Sequence, residues 1–197
     1  MRHALIAAAL LAAPAAALAE GIQYNFVDAR YFSTDSDALN VNLQGAQLAV
    51  SHSLGEFLFL AADAQYGRSE SVATTAGNGR VETLSGAFRI GAHHAITPAL
   101  DVVASAGALY SEVQGKGALS NADDDDIGYT AAAGLRLALM PKVEVGAFYT
   151  YQDVLEGEQS FFSAELQYHV TSQFSAVGAA NNGRDRDAYS IGVRYHF

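Results

Sequence analysis

Hydrophobic and polar residues alternate along this chain with a period of two, and they do so in ten separate stretches. That period belongs to β-strands, whose successive side chains point to opposite faces. The stretches are 23–32, 44–54, 56–66, 81–96, 99–111, 127–139, 143–152, 159–170, 173–180 and 188–197. In the first, Val27, Ala29 and Tyr31 share one face, and Asp28 and Arg30 the other. In the last, Tyr189, Ile191, Val193, Tyr195 and Phe197 oppose Ser190, Gly192, Arg194 and His196. The apolar faces are almost free of charge, whereas the polar faces carry both signs. Alternation alone does not say which face is inside. A soluble ligand-carrying barrel would turn its apolar face inward and show charge to water. Faces almost free of charge over all ten stretches, with aromatics towards their ends, fit the opposite arrangement of a barrel standing in lipid. Only a closed sheet is tolerated there, because each backbone N–H and C=O needs a partner within the protein. The expected fold is therefore an all-β, transmembrane, antiparallel up-and-down barrel. Ten strands are favoured and eight are the alternative.

The connections alternate too. Four are tight, at Gly55, Thr97-Pro98, Met140–Lys142 and Thr171-Ser172. Five are longer and polar, at 33–43, 67–80, 112–126, 153–158 and 181–187. Short periplasmic turns and longer extracellular loops are the rule for such barrels, and an even strand number puts both termini in the periplasm. Ahead of the first strand, a short basic start, the apolar run Ala4–Ala13 and Ala17-Leu18-Ala19 have the three-part form of a secretory signal peptide. Residues 1–19 are expected to be removed, leaving 20–197 as one barrel domain. After the leader no apolar run is long enough for a transmembrane helix.

The polar faces collect Asp28, Arg30, Asp63, Arg89, Asp101, Arg136, Glu144, Glu165 and Arg194, with His93, His169 and His196. Distance from the nearest tight turn places Asp101, Arg136, Glu144 and Arg194 near the periplasmic end. Asp28, Asp63, Arg89 and Glu165 fall near mid-barrel, with Arg30 close by. Four arginines among five carboxylates are what a low-dielectric interior needs if it is to hold charge at all. Such a network either fills the barrel as a salt-bridged plug or lines a narrow, gated conduit for ions and small solutes. Interiors of eight-stranded barrels are only wide enough for side chains, which favours the plug.

Composition narrows the chemistry. The chain has 11 Lys plus Arg against 21 Asp plus Glu, and a net charge of −10. That balance argues against nucleic-acid binding, which relies on cations for phosphate. With no Cys, disulfides and thiol chemistry are ruled out. The five long connections contain no His, so acid–base catalysis at the cell surface lacks its usual residue, and no enzyme motif is present. No cofactor is implied. His93 and His94 are adjacent in a strand and point to opposite faces, so they cannot share a metal. The densest charge run is Asp123-Asp124-Asp125-Asp126. Its hard oxygens suit a divalent cation bridging to lipopolysaccharide, although the spacing is not that of an EF-hand.

The whole chain resembles small bacterial outer-membrane β-barrel proteins. In such proteins a terminal aromatic strand, here ending Tyr195-His196-Phe197, is read by the barrel-assembly machinery. Tyr24-Asn25-Phe26-Val27-Asp28 and the segment 44–66 are similar to the quorum-sensing-regulated outer-membrane barrels of xanthomonads. That resemblance implies an outer-membrane location and a non-enzymatic part in surface behaviour such as adhesion, biofilm formation or stress resistance. The expected partners are outer-membrane lipid, lipopolysaccharide and the assembly machinery, with the protein a monomer.

Overall fold

The computed structural model describes residues 22–36, 41–70, 72–74, 77–119, 123–155, 157–184 and 186–197. The expected leader, 1–19, lies outside them. The described residues form eleven strands: β1 (Phe26–Ser36), β2 (Val41–Ser53), β3 (Leu58–Ser69), β4 (Val72–Thr74), β5 (Gly77–Thr97), β6 (Leu100–Gly117), β7 (Asp124–Met140), β8 (Val143–Val154), β9 (Gly157–His169), β10 (Phe174–Gly183) and β11 (Arg186–His196). β4 resumes the course of β3 after a short break and pairs with the start of β5. The wall therefore has ten staves, each antiparallel to its neighbours. β1 pairs along its whole length with β11, from Phe26↔His196 to Ser36↔Arg186, and this seam closes the barrel.

The face pointing inward is decided by exposure. On β11, Tyr189, Ile191 and Val193 are 60–70% exposed, whereas Arg194 and His196 are each 3% exposed. The apolar side of every stave forms the outer wall. Such a continuous apolar surface has no place in water and suits hydrocarbon. Exposed rings border it on both sides: Tyr31, Tyr66, Tyr129 and Tyr189 on one, and Tyr168, Phe174, Tyr195 and Phe197 on the other.

The tight connections gather at one end, hereafter the turn end. There Gly55 adopts φ +101°, a left-handed conformation that glycine takes without steric cost. At the other end, the loop end, the expected long connections are mostly strand. β5 begins at Gly77, β6 runs on to Gly117 and β7 begins at Asp124. The connections expected at 67–80 and 112–126 are thus largely paired hairpin. Beyond the apolar belt the outer face carries polar residues such as Arg68, Arg80, Glu82 and Lys116, so the hydrophobic alternation lapses while the backbone ladder continues. β1 also starts later than expected, at Phe26 rather than Gln23, because the chain before it turns into the barrel.

Candidate functional site: the barrel interior

Residues of one parity on each stave face inward, and the seam sets the first of their contacts. Asp28 on β1 lies directly opposite Arg194 on β11. Arg194 donates from Nε and Nη2 to Asp28 Oδ2, at 3.1 and 2.8 Å. Arg30 forks onto the same carboxylate, Nε to Oδ1 at 2.8 Å and Nη2 to Oδ2 at 2.6 Å. Its Nη2 also reaches Glu165 Oε2 at 2.6 Å, and Arg194 lies 3.2 Å from Glu165. Two guanidinium groups and two carboxylates thus form one neutral cluster. Forked geometry of this kind makes the strongest ion pairs. The Arg194 guanidinium also lies 4.0 Å above the Phe26 ring. Asp28 and Arg194 share one level, so the expected separation of Arg194 from the mid-barrel group does not hold.

The remaining charges pair apart from this cluster. Arg136 donates from Nε to Glu144 at 2.6 Å, and Arg89 pairs with Asp63. Asp101 accepts from Tyr24 at 3.0 Å and lies 3.3 Å from His93 Nδ1. A charge taken from water must recover its solvation from partners. Each of the nine expected interior charges has such a partner.

Tyr24 is a participant that the alternation did not single out. It sits ahead of β1 yet is buried, stacked on His93 at 3.9 Å and near Phe59. Arg136 lies 4.6 Å over its ring and donates to the Gln23 carbonyl at 3.1 Å. Residues 22–25 therefore reach into the turn end and are held from the opposite wall. Burial pushes the Tyr24 hydroxyl above the ordinary phenol range, so it remains a donor to Asp101. The signal was present in the sequence, because Tyr24 has the same parity as Asp28 and Arg30.

Apolar groups pack beside the charges towards each end. Tyr24, Phe59 and Val103, with Ile22, Ala61 and Phe148, pack at the turn end. Ala87, Leu109 and Val154, with Leu155, pack towards the loop end. Phe32 is buried beside Gly67, where a Cβ would fall 2.9 Å from its ring.

Asp124, Asp125 and Asp126 belong to β7 rather than to a loop, so they alternate between faces and do not converge. Asp126 is already engaged, accepting from the backbone N–H of Leu155 at 2.8 Å. That contact fixes a turn in which Leu155 has φ +57°. Asp123 accepts from Gly115 N–H at 3.2 Å. Among the described residues no group of three or more His, Asp or Glu is arranged to hold a metal ion. Tyr195 and Phe197 lie on the outer wall, and Phe197 donates its N–H to Asn25 at 3.3 Å. His93 faces inward, whereas His94 is exposed beside Phe57.

Two clefts open at the ends. One of about 590 Å³ at the loop end is lined by Arg68, Arg80, Lys116 and Glu70 among others. The other, about 570 Å³ at the turn end, includes Gln23, Asn25, His93, His196 and Phe197.

A family model described as "Outer membrane protein beta-barrel domain" matches residues 4–197. No curated protein matches the sequence. Among solved structures, the NanC porin is similar at 13% identity, over 87% of this chain and 100% of that one, with a TM-score of 0.53. The β domain of the Bordetella autotransporter BrkA is similar at 14% identity, covering 89% and 100%, with a TM-score of 0.53. The KdgM porin is similar at 13% identity, covering 87% and 99%, with a TM-score of 0.50. At these identities the likeness is one of fold.

Proposed function

The chain belongs to the outer membrane protein β-barrel domain family, and from that premise we propose that it is a non-enzymatic barrel closed by its own ion pairs, serving envelope integrity, adhesion or biofilm and stress behaviour. The observation that carries this reading is the pairing of Arg30, Arg89, Arg136 and Arg194 with interior carboxylates. Apolar groups pack beside them towards each end of the barrel. Side chains committed in this way are a filling that holds staves together. The turn end faces the periplasm and the hairpin tips face outward, where they meet lipopolysaccharide or a surface partner. Asp123, Asp124, Asp125 and Asp126 then act singly as acidic surface, not as one divalent-cation site. Tyr195 and Phe197 present the aromatic strand end to the assembly machinery. The protein works as a monomer, and its nearer kin are the quorum-sensing-regulated barrels of xanthomonads.

One observation favours a second reading, a narrow low-conductance channel. The side chains of Arg89 and Glu165 keep 24% and 19% exposure inside the barrel, so solvent reaches the network. Planar-bilayer recording of the refolded protein, with Arg89→Ala and Glu165→Ala, separates the two. Silence from a barrel shown to be folded by heat-modifiable gel mobility supports the closed form. Discrete openings that change amplitude or selectivity in either variant replace it with the channel.

A further inference from the structure

The outer wall changes character at the loop end of β3, β5 and β6. Arg68 follows Tyr66 by two residues on β3, opposite Gln44 on one side and Glu82 on the other. Further along, Arg80 of β5 lies directly opposite Lys116 of β6. Asp63, Arg89 and Asp101 point inward, so Arg68, Arg80 and Lys116, of the other parity, point outward. Tyr66 is exposed at the border of the apolar belt, where such rings sit at headgroup depth. Strands rise about 3.3 Å per residue, so the three cations stand about 7 to 13 Å along the wall beyond that ring. Two cations directly opposite each other on adjacent strands repel. Arg80 uses its Nε on Glu82 at 2.8 Å, which leaves the outer edge of its guanidinium open. Lys116 gives one N–H to Gln114. Arg68 is exposed and makes no ion pair among the described residues. Among the described residues lining the loop-end cleft, three are cations and one, Glu70, is an acid. The neighbouring staves do the reverse on the same outer face, where Glu112 lies opposite Asp125 and Asp153 opposite Glu158. The positive charge is therefore local.

We propose that Arg68, Arg80 and Lys116 form a binding site for the phosphate of a phosphorylated glycolipid in the outer leaflet, the lipid anchor of lipopolysaccharide. The site rests on the reading that the loop end faces outward. Phosphate oxygens between Arg80 and Lys116 relieve the repulsion of the two cations. The guanidinium edge offers a fork to them and the ammonium a point charge. The cleft of about 590 Å³ that these residues line has room for a phosphorylated sugar. A lipid fits better than a soluble anion because the site runs on into the apolar wall. Tyr66 and Leu84 lie opposite each other one level below Arg68 and Glu82, and both are exposed. Acyl chains lie along that wall while the phosphate meets the cations. The cations are also held ready. Their ladder is paired out to Gly79↔Gly117, and Ala118 N–H donates to the Asn78 carbonyl at 3.2 Å beyond it. Little backbone has to be ordered on binding.

The test is native mass spectrometry of the refolded protein in detergent micelles, with bisphosphorylated lipid A and its dephosphorylated form as probes. The two differ in phosphate alone, and the unaltered protein is expected to retain the phosphorylated form by a wide margin. A Lys or Arg at a membrane surface contributes about fivefold in affinity for anionic lipid, so Lys116→Gln is expected to lower retention about fivefold, and the triple variant with Arg68→Gln and Arg80→Gln about a hundredfold. Lys142→Gln, in the turn between β7 and β8, is expected to change nothing. Equal retention of the two probes by the unaltered protein would overturn the site, and that result needs no variant to fold. A triple variant that keeps the preference would overturn it too. So would inorganic pyrophosphate displacing lipid A at equal concentration, because the apolar wall would then add nothing. Orientation is read separately. The chain has no Cys, so Ala118→Cys on intact cells is a unique target for a membrane-impermeant maleimide, and labelling is expected. Labelling only after the outer membrane is opened would put the loop end in the periplasm and overturn both readings. Surface labelling without a phosphate preference would remove the site and leave the orientation standing.

Discussion

Asp28 and Arg194 face each other across the seam where the first stave meets the last, 2.8 Å apart and almost wholly buried. The hydrogen-bonded closure of the sheet and the central ion pair of its interior thus lie at one place. A barrel has no free edge only once this seam is made. Forming it also brings the two halves of the charge cluster together.

Asp28→Ala is expected to be severely destabilising. It leaves Arg30 and Arg194 sharing Glu165 as their carboxylate, with cations buried without full compensation. Breaking one side of a buried pair costs about 3–5 kcal/mol. Urea titration in vesicles, followed by heat-modifiable mobility, measures the loss. A change under about 1 kcal/mol would mean that solvent already screens the cluster.

Tyr24 separates two contributions at one position. Tyr24→Phe removes only the hydrogen bond to Asp101 and is expected to cost about 1 kcal/mol. Tyr24→Ala also removes the ring packed between His93, Phe59 and Arg136, for a total of about 3–5 kcal/mol. Equal losses in the two variants would show that the ring contributes nothing to holding residues 22–25.

The outer wall is tested at Ile191, which is 70% exposed between Tyr189 and Tyr195. Ile191→Arg is expected to cost about 2–4 kcal/mol in a bilayer if the site is near mid-plane. In a detergent micelle, which deforms more readily around a charge, the loss should shrink. A neutral outcome in the bilayer would put Ile191 outside the apolar belt.

Most of the fold was legible because lipid imposes one rule on every stave. Ile191 and Val193 must be apolar and Arg194 must not, so the period of two survives over the whole belt. The rule stops where lipid stops. Residues 112–117 alternate only weakly, and they read as loop although they continue the β6 ladder. The interior was legible as a set of charged residues, since Asp28, Arg30, Glu165 and Arg194 share a parity. Their partnerships were not, because pairing across the seam depends on register between the two ends of the chain. Tyr24 was missed for a different reason. It lies before the first regular hydrogen bond, and only its parity hinted that it turns inward. Gln167 and Ser175 are ordinary polar residues in sequence, and only the register of the staves brings them to Arg194 and His196.

The paired hairpins at the loop end bear on how this surface can be handled. Glu112, Gln114 and Lys116 share the outer face of a ladder that also holds Glu82 and Arg80 in fixed register. A binding molecule raised against that region would grip a rigid corrugated plate whose side chains keep their spacing. A peptide copied from residues 112–117 alone would lack the neighbouring strand and should compete poorly for it. A foreign epitope placed at Ala118-Leu119, past the end of β6, would leave the paired strand uncut, whereas the same insertion a few residues earlier would sever the plate itself.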